Sequence, residues 1–121
     1  MRYRDMIHMV QQMSGSSDEE STDALQFMVE SVAVHLNEGE RKEFASQLPQ
    51  ELQDIALTVL PTSDNIRDNI IEQYMELEEV DEHSAMTQIK AAWNALKEAI
   101  SGGEIEDIKS QLPNQMVGIL K

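Results

Sequence analysis

The chain has 121 residues, 40% of them hydrophobic, no cysteine and a formal net charge of −14. This length can bury a core without covalent staples, and the absence of thiols excludes disulfides and thiolate metal sites. The charge argues against nucleic-acid binding, which depends on Lys and Arg neutralising phosphates, and against an anionic membrane surface.

Residues 3–13 set Met6, Ile7, Val10 and Met13 at helical spacing. The polar stretch SGSSDEEST reads as a loop, with Ser17 or Asp18 capping the next helix and the acids on its positive end. That helix is predicted over residues 18–37. Leu25, Met28, Val29, Val32 and Leu36 form one apolar stripe, and Phe27 and Val34 a second, as expected of a central helix. Asn37-Glu38-Gly39 is read as its end, with Gly39 in the left-handed position past the last turn. A short helix over residues 40–48 points Phe44 and Leu48 inward. Pro49 stops it and opens a fourth helix at a sharp corner. Leu60-Pro61-Thr62-Ser63 reads as a linker, with Ser63 or Asp64 as the next cap.

From there the cycle repeats. Ile66, Ile70, Ile71, Tyr74 and Leu77 face inward, and residues 78–82 form an acidic connection. Ile89, Ala92, Trp93, Leu96 and Ile100 form the second central stripe, which Ser101-Gly102-Gly103 breaks. Ile105 and Ile108 lead to a second Leu-Pro corner at Leu112-Pro113, and Met116, Ile119 and Leu120 follow it.

The recurrence has a fixed offset of 64 residues: Gly39, Glu40, Gln47, Leu48 and Pro49 return as Gly103, Glu104, Gln111, Leu112 and Pro113. The apolar stripes superpose at the same offset even where identities differ, since packing tolerates swaps that keep the volume. The expected fold is all-α, with two pseudo-symmetric halves of about four helices each. It forms one helical domain over residues 1–121 with internal repeats at 1–61 and 62–121. The acidity is shared between them: four cations stand against eleven acids in residues 1–61, and five against twelve in residues 62–121.

Each copy runs through an apolar helix, Gly-Glu, a short helix, Gln-Leu-Pro and another short helix. This pattern resembles the bacterial family catalogued as domain of unknown function 2267, whose members carry a Leu-Pro corner within the text QLP.EL. Gln47 to Leu52 matches it closely. In the second copy Gln115 and Met116 stand where the acid and leucine belong. The resemblance implies a bacterial, all-helical protein and supplies no catalytic residue.

The residues themselves suggest no catalytic, metal or cofactor site. His8, His35 and His83 lack the spacing of a helical metal site. The acids from Glu72 to Glu82 lack the glycine of a calcium loop. The serines from Ser14 to Ser21 read as caps and loop residues, and Gly102-Gly103 as a helix terminator. The Gln-Leu-Pro segments read as structural corners. Met6, Met9 and Met13 fit the core better than a surface, yet they are the partner-binding candidates, because a loosely docked first helix would open a methionine-lined groove.

Three functions compete. The favoured one is a non-enzymatic interaction module, adaptor or regulator, whose acidic surface steers a protein partner with a basic surface. The second is a small-ligand-binding protein or enzyme with a site between the halves, drawing on Trp93, Tyr74 and His83. The third is an acidic nucleic-acid mimic. Neither the opening residues MRYRDMIHMVQQM nor any later stretch has the apolar run of a leader or a membrane span. A soluble, cytoplasmic location is therefore expected.

Overall fold

The apolar stripes become helices. In a computed structural model of the protein, which describes residues 1–60 and 69–121, the first four helices are α1 Tyr3–Ser14, α2 Asp18–Ala33, α3 Glu38–Ser46 and α4 Gln50–Thr58. The second four are α5 Ile70–Glu78, α6 Glu82–Ala99, α7 Gly102–Gln111 and α8 Asn114–Leu120. The fold is all-α, with no strand among the described residues.

The two longest helices, α2 and α6, pack on each other at the centre. Leu25, Met28, Val29 and Val32 of α2, and Ile89, Ala92 and Leu96 of α6, are fully buried, with Trp93 nearly so. Each such Leu, Met or Val side chain contributes about 1.5–3 kcal/mol relative to exposure. Around them α4 packs on α2 and α8 on α6, α3 packs on α4, and α3 meets α7. The first helix crosses between the halves, because α1 packs more extensively on α6 than on α2. One buried cluster draws side chains from all eight helices.

Helix ends reuse repeat positions. Gly15 ends α1 at φ 71°, its N–H bonded to Gln11 O at 2.8 Å. Sixty-four residues later Glu79 ends α5 in the same left-handed region, at φ 54°. Glycine adopts that conformation at no steric cost, whereas glutamate does so at roughly 1 kcal/mol. Pro49 and Pro113 take matching conformations before α4 and α8, with φ −58° in both.

Three expectations need correction. The helix predicted over residues 18–37 stops at Ala33, and the chain turns through His35 and Leu36. Asn37 then caps α3: its Oδ1 accepts from Glu40 N–H at 2.8 Å, so Gly39 lies in the first turn of α3 instead of ending α2. Asparagine suits both ends of a helix, and sequence alone favoured the wrong one. Likewise Gly102 and Gly103 open α7 after the cap Ser101. Met13 and Leu77, expected inward, are 45% and 63% exposed. They are equivalent in the repeat and sit near the ends of α1 and α5. Periodicity fixes the face a residue occupies, not whether a neighbour reaches far enough to cover it. The expected linker at Pro61 to Ser63, the cap at Ser63 or Asp64 and the inward Ile66 lie outside the described residues.

Candidate functional site

A helix start leaves backbone N–H groups without intrahelical partners. In α2 the solution is local. Ser17 Oγ accepts from Glu20 N–H at 3.1 Å, and Glu20 Oε1 accepts from Ser17 N–H at 3.0 Å, closing a capping box. In consequence the Glu20 carboxyl is held below its ordinary range, mainly by the bond from the Ser17 backbone.

In α3 and α7 the solution crosses the molecule. Asn37 and Ser101 provide the cap oxygens for Glu40 and Glu104 N–H, at 2.8 and 3.3 Å. Their own N–H groups go to glutamines of the opposite copy. Asn37 N–H donates to Gln111 Oε1 at 2.9 Å, and Ser101 N–H donates to Gln47 Oε1 at 2.8 Å. The repeated glutamine thus clamps the opposite copy, while Leu48 and Leu112 are buried at the corners.

Because those N–H groups are taken, the third-position glutamates have no capping box to close. Glu40 and Glu104 instead face each other where α3 meets α7. Glu104 is only 7% exposed, and the Oε1 atoms of both residues are buried with no hydrogen-bond partner from another residue among the described ones. Asp107, one turn along α7, joins them: one carboxylate oxygen from each of the three lies within 4.8 Å of the others. The neighbouring cations point elsewhere. Arg41 donates to Ala33 O and Leu36 O at 3.2 and 3.0 Å. Lys42 pairs with Glu38 at 3.4 Å, and Lys109 with Glu106 at 3.8 Å. Two full charges ~4 Å apart repel by about 4 kcal/mol at an effective dielectric of ~20. Burial first, and then the hydrogen bond with Glu40, push the Glu104 carboxyl up to about 7.

A second acidic feature lies between α2 and α5. Asp23, Gln26, Phe27 and Glu30 from α2, with Tyr74, Leu77 and Glu78 from α5, line a cleft of about 280 Å³. The Phe27 and Tyr74 rings meet at 5.0 Å between centroids, tilted by 59°. Tyr74 is buried, and its hydroxyl donates to Gln88 Oε1. Gln88 in turn donates to Glu20 Oε2 at 3.5 Å. The floor of the cleft is thereby tied to α6 and to the start of α2. Burial, then the hydrogen bond with Asp23, push the Glu78 carboxyl up to about 7.

The other candidates do not converge. Met6 is fully buried, Met9 is partly buried and Met13 is exposed, so the three share no accessible face. Trp93 is a core side chain, and His83 is exposed at the start of α6. The Ser14 hydroxyl is held by Val10 O at 2.6 Å. Burial lowers the pKa of His35. Among the described residues no helix is long and apolar enough to cross a membrane.

The meeting of Glu40 with Glu104 did have a signal in the sequence. The offset of 64 preserves polar identities, Glu and Gln, at equivalent positions of the two copies. It also pairs Glu43 with Asp107, so each copy carries two acids three residues apart on one helix. Those identities mark a seam between copies better than the apolar stripe does.

No curated protein and no solved structure matches this chain. Residues 3–119 match the family described as "Uncharacterized conserved protein (DUF2267)", and the chain belongs to that family.

Proposed function

We propose that this is a non-enzymatic interaction module, and that the α2/α5 cleft receives a Lys or Arg side chain from a basic segment of a partner protein. The carrying observation is the combination of Asp23 and Glu78 with the Phe27 ring and the exposed Leu77 around one opening. A basic side chain has an apolar stem and a charged head. The stem would lie on Phe27 and Leu77, and the head would meet the carboxylates. The net charge of −14 would steer such a partner from a distance, and salt would screen that steering. A cysteine-free acidic chain suits the cytoplasm, where we place the encounter.

The test is binding of a library of Lys- and Arg-bearing peptides to the wild type and to the double variant Asp23→Asn/Glu78→Gln. The proposal expects binding that weakens as salt rises and is lost in the double variant. Equal binding to both proteins, or none to the wild type, would overturn it. In the latter case a small ligand between helices becomes the better reading.

A further inference from the structure

We propose that Glu40, Glu104 and Asp107 form a binding site for a hard divalent cation at the junction of α3 and α7. Three observations converge there. The first is geometric: three carboxylate oxygens lie within 4.8 Å of one another. Oxygens on one Ca²⁺ sit about 2.3–2.6 Å from the ion, so opposite ligands are about 4.6–5.2 Å apart. Around Mg²⁺ they are slightly closer. The spacing is thus that of ligands around a single ion.

The second is the state of Glu104. It is 7% exposed, its Oε1 is buried with no donor but a proton shared with Glu40, and its carboxyl belongs to this cluster. A buried carboxylate oxygen without a partner is costly, and native structures rarely leave one. The third is that, among the described residues, the nearby cations Arg41, Lys42 and Lys109 are committed to carbonyls and to other acids. Carboxylate oxygens select hard ions over those that prefer imidazole or thiolate. Exposed Asp107 leaves one side open, where water would complete the shell. With only three protein oxygens, the affinity expected is modest, Kd on the order of 0.1–1 mM.

The site also gives the repeat a use. Glu40 comes from one copy, and Glu104 and Asp107 from the other, so a bound ion would join the two at the seam already clamped by Gln47 and Gln111.

The experiment is calorimetric titration of chelator-treated protein with CaCl₂ and, separately, MgCl₂ at pH 8 and fixed ionic strength, with melting temperatures measured in parallel. The wild type is expected to bind one ion per chain. At about a hundredfold excess over Kd its melting temperature should rise by roughly 10 °C. Glu104→Gln should lower the affinity at least tenfold and abolish the rise. Its melting temperature without cation should not fall, because the new amide can donate to Glu40. Asp107→Asn, at an exposed position, tests the same site without disturbing the core and should weaken binding. The exposed Glu51→Gln is expected to behave as the wild type. Two results would overturn the proposal. One is no saturable binding by the wild type. The other is binding undiminished in both Glu104→Gln and Asp107→Asn, which would mean that the ions bind elsewhere on the acidic surface.

Discussion

The start of α2 and the starts of α3 and α7 place the same kinds of residue at the same positions and use them differently. In α2 a serine cap and a glutamate three residues on satisfy each other at 3.0 and 3.1 Å. In α3 and α7 an Asn or Ser cap is again followed by glutamate three residues on, yet the cap N–H bonds to a glutamine from the other copy. The glutamate is then left to meet its counterpart. A capping pattern read from sequence therefore predicts the cap oxygen, while the partner of the glutamate is set by tertiary packing. What decides the outcome is whether another group reaches the cap N–H first.

Substitutions separate the local cap of α2 from the crossed caps of α3 and α7. The largest effect is expected where the two copies are pressed together. Val32 is fully buried on α2, so Val32→Asp should unfold the protein or cost more than ~4 kcal/mol by burying an unpaired charge. Urea denaturation checks this, and with the central pair lost the α3/α7 seam should disappear as well.

A smaller effect comes from the acid pair in the α2/α5 cleft. Glu78 has a pKa near 7 in the folded protein against an ordinary 4.5, so between these values the folded state holds more proton than the unfolded. Its contribution to stability is therefore greatest at the acid end, falls as pH rises from about 4.5 to 7, and stays low above. Glu78→Gln is expected to flatten that slope. It should also gain about 1–2 kcal/mol at pH 8, a figure reduced for partial exposure. Melting curves at pH 5 and pH 8 decide it, and a steeper slope in the variant would contradict the sign.

The caps themselves come next. Ser17→Ala should cost about 1 kcal/mol, because the Glu20 N–H loses its Oγ acceptor while the backbone N–H of residue 17 keeps its bond to the Glu20 carboxylate. Gln111→Ala should cost less, since Glu40 can swing back to the freed Asn37 N–H and rebuild a local box. Chemical denaturation of the two variants gives the difference, and a larger cost for Gln111→Ala would contradict that rearrangement. Comparable in size and opposite in sign is Glu79→Gly. It places glycine at the left-handed end of α5, as Gly15 already stands at the end of α1, and is expected to stabilise by about 1 kcal/mol. A lower melting temperature would show that the Glu79 side chain matters more than its backbone strain.

Much of the fold was legible. The stripes through Leu25 to Val32 and Ile89 to Leu96 identified the two central helices, because burial leaves a 3.6-residue period in the sequence. The Leu-Pro corners were legible because proline acts locally. The segment from Val34 to Gly39 was not, since Asn37 suits either end of a helix and only packing chooses. Met13 and Leu77 misled because the period says nothing about how far a neighbour extends. The candidate sites were hardest to see. Glu40 and Glu104 lie 64 residues apart, and Asp23 and Glu78 lie on different helices, so their proximity is a product of tertiary packing. Only the recurrence of Glu and Gln at the fixed offset hinted at a shared seam.

The crossed clamp can be tested most directly by amide NMR and hydrogen exchange on Gln47→Ala and Gln111→Ala. The structure predicts a crosswise response. Gln111→Ala should shift the Asn37 amide and change its exchange, and Gln47→Ala should do so at Ser101. If instead Gln47→Ala perturbs Asn37 and Gln111→Ala perturbs Ser101, each glutamine acts within its own copy, and the account of how the two copies are joined is wrong.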